Sequence, residues 1–287
     1  MAGARIAGPG TTSVNSLTQV SELLKYPTTS RLDRIAGALL GLHAGDLLGT
    51  GDASEGTDLT RAVLLGYLDP GSDVVRAAAG RMLAWFSNDP HASGLGQGPA
   101  GNGSLMRCLP TALAVAEPAR RIRESMELSA LTHPDPRCTG ACAAYNEIVA
   151  ALITGHTSIQ AVASGLSTAN AHGGLPVVQA VRRGTTLSLP NGVAEHQAGQ
   201  PGHDDGTGGE VLHSLSLAVA AVLDPRSLEE VLVDVVRVSG DSDTDAAIAG
   251  GLLGARDGAA AIPKRWAVKL KFAQDFTAAA ATISAWR

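Results

Sequence analysis

An all-α fold, a single compact domain of closely packed helices, is what this sequence predicts, and three observations predict it. Apolar residues recur at helical spacing in almost every segment, while the alternation of a half-buried strand is nearly absent. Glycine is abundant and aromatic side chains are scarce, with Gly 34 against 3% aromatic, a mixture suited to helices packed through Ala, Leu and Val. Finally, Gly37, Gly41, Gly45 and Gly49 fall at every fourth position of one segment. Glycine lowers helix propensity, so a one-sided series of this kind calls for the close approach of a second helix.

The 287 residues, 45% of them hydrophobic, are enough for one large domain with a substantial core. Lys+Arg 22 against Asp+Glu 27 leaves a net charge of −5 with no basic run, which argues against nucleic-acid binding driven by general charge. Cys108, Cys138 and Cys142 form no C-x-x-C pair, so they read as small buried residues and not as a zinc site or disulfide framework. Met1 to Gly10 has no apolar secretory core, and the apolar run Ile35 to Leu48 is too short to span a bilayer. A soluble, cytoplasmic monomer with no membrane contact is the expectation.

In chain order, residues 1–29 are Gly-, Ser- and Thr-rich and are expected to form an irregular arm, with a short helix at Val14 to Leu24. The body, residues 30–287, starts at Ser30, a good N-cap for the glycine-bearing helix. Asp46 lies on that helix among apolar residues, where a carboxylate is costly unless paired, hydrogen-bonded or near a metal. A polar loop then runs through Glu55 into Thr57-Asp58-Leu59-Thr60, with a helix expected from Arg61 to Tyr67 and another from Asp73 to Phe86. After a Gly/Pro-rich loop, Gly101-Asn102-Gly103-Ser104-Leu105-Met106-Arg107 opens a helix expected to reach about Ala116. Glycines in such a place let backbone N–H groups converge on an anion. Helices are expected at Pro118 to Leu131 and Cys138 to Ile153, flanking Thr132-His133-Pro134-Asp135. Thr157 to Arg183 is helical with a break at Ala171 to Gly174, and residues 185–209 lack periodicity, as a surface insertion or lid would. Glu210 to Leu223 and Ser227 to Ser239 are amphipathic helices, and the final helices begin at Ile262-Pro263.

Between them stands Gly240-Asp241-Ser242-Asp243-Thr244-Asp245, leading into a helix of small and apolar residues. Carboxylates at a helix start can cap free N–H groups and suit the macrodipole. Three within five residues exceed what capping needs. Hard cations such as Mg2+ or Mn2+ take oxygen ligands of this kind, usually one or two carboxylates each, completed by water and substrate. Thr57-Asp58 is a second hydroxyl-plus-carboxylate pair at a helix start.

Taken together these motifs resemble the ADP-ribosylglycohydrolases. The matching pieces are Gly45-Asp46-Leu47-Leu48-Gly49, Thr57-Asp58-Leu59-Thr60, the Gly101 to Arg107 segment, Thr132-His133-Pro134-Asp135 and Gly240 to Ala247, in the family's order over roughly residues 31–275. The resemblance implies orthogonally packed helices around a metal-binding cleft holding one or two Mg2+ or Mn2+ ions. It implies hydrolysis of the bond between ADP-ribose and a modified acceptor, either an ADP-ribosylated protein or a small molecule. On its terms Thr57, Asp58, Asp241, Asp243 and Thr244 bind metal. Gly101, Asn102, Gly103, Ser104 and Met106 contact the substrate, with Asn102 on the phosphates, and His133 lines the ADP-ribose pocket. The base is Glu55 or a metal-bound aspartate, Asp58 or Asp243. Two departures stand out: Leu59 replaces the family's second consecutive aspartate, and the family's Asp-x-Gly ribose segment is reshaped around Asp89 to Gly98. Leu59 motivates an alternative, an inactive relative that binds ADP-ribose or a protein partner. The altered ribose segment motivates another, a changed N-glycoside substrate.

Overall fold

The computed structural model describes residues 29–50, 55–69, 71, 73–88, 100–197 and 209–286. The helices are α1 (Arg31–Thr50), α2 (Glu55–Leu68), α3 (Val74–Asn88), α4 (Gly103–Arg107), α5 (Leu109–Ala114), α6 (Pro118–Ala130), α7 (Pro136–Ile153) and α8 (Ser158–Thr168). They continue as α9 (Gly174–Gly184), α10 (Leu189–Gln197), α11 (Val211–Leu223), α12 (Leu228–Val238), α13 (Ser242–Asp257), α14 (Lys264–Ala267) and α15 (Ala273–Ser284). Extended pairing among the described residues is confined to one antiparallel bridge, Gly101 with Glu210. Residues 1–28 of the expected arm, with its Val14 to Leu24 helix, and the Asp89 to Gly98 segment lie outside the described residues.

The glycine series does what its spacing requires. A side chain added at Gly37, Gly41, Gly45 or Gly49 would overlap the backbone of Gly254, Gly250, Ala246 or Asp243, in that order. The descending partner numbers make α1 and α13 antiparallel, in backbone contact along their length. Arg34 then donates to the last carbonyls of α13, at Ala255 (3.0 Å) and Arg256 (2.6 Å), satisfying groups a helix end leaves free. Ser30 Oγ accepts from Asp33 N–H at 3.1 Å, as its N-cap assignment anticipates.

Around this pair lies a core of Ile35, Leu39 and Leu42 from α1, Tyr145 and Ile148 from α7, and Ile248 and Leu252 from α13. Cys108, Cys138 and Cys142 are free and buried. A separate apolar cluster joins Leu59, Ala62 and Val63 of α2 to Ala78, Met82 and Leu128.

Three local expectations are corrected. Helix α2 starts at Glu55, not Arg61, so Thr57 and Asp58 lie in its first turn. Asp46 Oδ2 accepts the Thr57 N–H at 3.2 Å, a cap supplied by another helix. The helix expected to run to Ala116 divides at Cys108 into α4 and α5, because Pro110 has no N–H to offer the carbonyl of Met106. That carbonyl accepts from Thr60 Oγ1 at 3.4 Å. Finally, Leu189–Gln197 is helical within the stretch read as aperiodic, with Leu189 buried in the core formed with α12. Residues 198–208 lie outside the described residues.

Candidate metal and ADP-ribose site

The last turn of α1 gathers the two acidic clusters. Asp46, fully buried, accepts from both the N–H and the hydroxyl of Thr57. Three residues on, Gly49 lies against the backbone of Ser242 and Asp243. Thr57-Asp58 and Asp241-Asp243 are thereby brought to one end of α1. The Gly101 to Arg107 segment spans the same two clusters: Met106 packs against Gly56 on one side, and Asn102 reaches Asp241 on the other.

The hydroxyl of Thr57 has a defined polarity. Phe272 N–H donates to His43 Nε2 at 3.4 Å, which leaves the His43 Nδ1 proton for Thr57 Oγ1 at 3.3 Å. Thr57 donates onward to Asp46, so one Oγ1 lone pair remains for a further partner. Burial holds His43 down to about pKa 4, opposed by a backbone hydrogen bond and aided by the charge of Lys271, so the ring is neutral.

Asp241 occupies the N-cap position of α13 but does not cap it. Its backbone lies at φ −131, ψ 71, and its carboxylate makes no hydrogen bond to the helix N–H groups. Its Oδ2 instead accepts from Asn102 Nδ2 at 2.9 Å, and Asn102 Nδ2 also donates to Ser214 Oγ at 3.0 Å. Asn102 N–H is held by Gly209 O at 3.0 Å, beside the Gly101–Glu210 bridge. Gly209 has φ +81, a backbone conformation that glycine adopts without strain, and it lies within van der Waals reach of Asp241 Oδ2.

Burial raises Asp241 to about pKa 6, with Asn102 pulling it down and Asp243 and Asp245 pushing it up. Burial also raises Asp245 to about 6, against hydrogen bonds from Ser214 and Ser239. Asp245 is fully buried, and its Oδ1 has no hydrogen-bond partner.

His133 stands behind Gly103, whose missing side chain would lie 3.5 Å from His133 Nε2. Buried Arg107 donates to Thr132 Oγ1 at 2.6 Å and to Leu128 O at 3.2 Å. Thr132 Oγ1 and His133 Nδ1 share a hydrogen bond of 2.6 Å. The hydroxyl keeps a second lone pair beside the one Arg107 uses, so either group can be the donor, and Nε2 carries the ring proton when the hydroxyl donates. That Nε2 is buried without a partner. Burial, and then the charge of Arg107, lowers His133 to about pKa 4.

The remaining expected residues fall as follows. Glu55 and Asp58 are half-exposed in the first turn of α2, and Asp243 and Thr244 lie in the first turn of α13. The Ser104 hydroxyl points inward and accepts from Ser129 Oγ at 2.9 Å, so only its backbone is offered to a ligand. Leu59 faces the apolar α2–α3–α6 cluster. Sequence reading passed over His43, Ser214 and Ser239. The signal for Ser239 was its six-residue spacing from Asp245, and nothing local marked the other two.

The donor set fits a hard cation. Among the described residues no three His, Cys, Asp or Glu side chains converge into a ligand set of their own. Two carboxylates with a threonine hydroxyl and water is the sparse protein share that Mg2+ accepts. Three carboxylates crowded at residues 241 to 245 make an uncompensated negative centre that a cation would relieve.

The fold is all-α, with an acidic helix start beside a glycine-flanked loop. The ADP-ribosylglycohydrolase family model matches residues 27–286, and the chain belongs to that family. A solved structure described as an ADP-ribosylglycohydrolase-related protein complex is similar, with a TM-score of 0.76 at 22% identity over 89% of this chain and 98% of that one, which shows the shared fold. A search of the curated proteins found no match. Family membership supports a glycohydrolase acting on ADP-ribose linkages. Among the described residues, no helix is long and apolar enough to cross a membrane.

Proposed function

We propose that this protein is a metal-dependent glycohydrolase that cleaves the bond between the anomeric ribose carbon of ADP-ribose and a protein side chain or small acceptor. One observation carries the reading: the Asp241 carboxylate leaves its own helix uncapped and is held facing Asn102. Asp241, Asp243 and Thr244, with Thr57 and Asp58, would hold one or two Mg2+ or Mn2+ ions. Such an ion, when bound, orients ribose hydroxyls and acidifies a nearby water.

The chain's own groups account for the rest. Asn102 keeps Asp241 turned outward, and both of its amide hydrogens are spent on Asp241 and Ser214. Diphosphate contacts therefore pass to the backbone of Gly101, Gly103 and Ser104 and to His133 Nε2 in its protonated tautomer. A water oxygen bonds the anomeric carbon as the glycosidic bond breaks through an oxocarbenium-like state. Glu55 or a site aspartate, Asp58 or Asp243, takes the water proton, and the protonated carboxyl passes it on to the leaving group, which restores the carboxylate.

The test is release of ADP-ribose by Asp241→Ala and Asp243→Ala, each checked for an unchanged circular dichroism spectrum. The reading requires both to be inactive, and full activity in either rejects it. Leu59 supports a second reading, ADP-ribose binding without turnover. Calorimetric binding with no hydrolysis of any ADP-ribosylated substrate would favour that reading, and measurable hydrolysis removes it.

A further inference from the structure

Asp245 is fully buried, and no step above uses it. It lies one helical turn beyond Asp241 on α13, and its side chain reaches the Asp241 backbone through Ser239. Asp245 N–H donates to Asp241 O at 3.0 Å. Its Oδ2 accepts from Ser239 Oγ, and Ser239 Oγ accepts the Asp241 N–H at 3.0 Å. The first of these is the opening i→i−4 bond of the helix and needs no particular side chain, whereas the second, through Ser239, is the contribution of the Asp245 carboxylate.

The serine relay holds the N–H side of Asp241, whose carboxylate makes no bond to the first N–H groups of α13. An aspartate at an N-cap otherwise tends to fold back and accept from the second or third N–H. Something must hold it out, and the Asn102 bond acts on the side chain alone.

We propose that Asp245 is a positioning residue: through Ser239 it locks the backbone of Asp241 so that the carboxylate faces Asn102 and a divalent cation and does not cap its own helix. This rests on the reading of Asp241 as a cation ligand. In variants lacking the relay, Asp241 collapses onto the α13 N-terminus. The helix gains a cap while the cation loses a ligand, so affinity falls without a matching loss of stability. A residue that merely supports the fold would lower stability and leave the affinity of the folded fraction unchanged.

The experiment is Mn2+ binding by the full chain, followed by loss of the free-ion electron paramagnetic resonance signal, with ADP-ribose release and thermal midpoint measured alongside. Asp245→Ala and Ser239→Ala are each expected to weaken Mn2+ binding 10–100-fold, the range for groups that orient metal ligands. The double variant is expected to be no weaker than either single one, because both remove the same relay. Asp245→Asn keeps an oxygen for the Ser239 hydroxyl and is expected to stay within about threefold of wild type. The proposal is overturned if Ser239→Ala binds like wild type, if the two losses multiply, or if Asp245→Asn is as weak as Asp245→Ala. Wild-type protein that binds Mn2+ and hydrolyses substrate while the variants match it overturns this proposal alone. Wild-type protein that does neither overturns the parent reading and this one with it.

Discussion

Asn102 and Asp241, 139 residues apart in the chain, meet through a hydrogen bond of 2.9 Å from Nδ2 to Oδ2. This bond ties the glycine-flanked loop to the acidic helix start. Asn102→Ala should lower ADP-ribose release and cation affinity roughly 10–100-fold, as loss of a ligand-orienting group does. The fold should survive, because the backbone bond from residue 102 to Gly209 O remains. Steady-state kinetics and calorimetry with Mg2+ check both parts.

Glycine position should decide the sign of a glycine-to-alanine substitution. Gly45→Ala drives a methyl into the backbone of Ala246 and should destabilise the protein by about 3 kcal/mol or more, since overpacking against backbone cannot relax locally. Gly80, inside α3, has open space around it. Gly80→Ala should stabilise by roughly 0.5–1 kcal/mol through helix propensity. Urea unfolding of the two variants beside wild type gives the comparison.

Leu59 stands where relatives of the family carry an aspartate, but here its side chain belongs to the apolar cluster with Val63, Ala78 and Met82. Leu59→Asp should therefore bury an unpaired carboxylate and cost about 3–5 kcal/mol of stability. It should not raise affinity for a second Mg2+. A variant with wild-type stability and a new cation site would show that α2 turns this residue toward the cleft.

His133 makes a pH-dependent contribution of known sign. Burial lowers its folded pKa to about 4, while in the unfolded chain it is near 6.5. Between those values the unfolded chain binds a proton that the folded chain refuses, so stability falls as pH falls. The contribution is intact above pH 6.5 and is lost progressively toward pH 4. From pH 7 to pH 5 the wild type should lose on the order of 2 kcal/mol more than His133→Gln, by urea unfolding at each pH.

The parts of the fold that were legible in the sequence are those written in local periodicity. The Gly37–Gly49 series announced a helix in contact, and α13 with its small residues was the matching surface. The site was legible as a set of motifs but not as a geometry. No local signal says that Asp46 caps α2 from another helix, or that Asp241 is held off the N–H groups it precedes. Both depend on partners distant in sequence, whereas capping preferences describe neighbours. Leu189–Gln197 escaped for the same reason, since burial of Leu189 against the α12 core anchors a helix with a weak local pattern.

The central claim, hydrolysis of an ADP-ribosyl bond dependent on a divalent cation, is tested most directly by metal removal and return. Protein stripped with a chelator and dialysed is assayed for ADP-ribose release from ADP-ribosylated arginine and serine peptides, before and after addition of Mg2+ or Mn2+. The account predicts no release from the stripped protein, recovery on re-addition, and no recovery in Asp241→Ala. Undiminished release from the stripped protein, or equal recovery in Asp241→Ala, would contradict it.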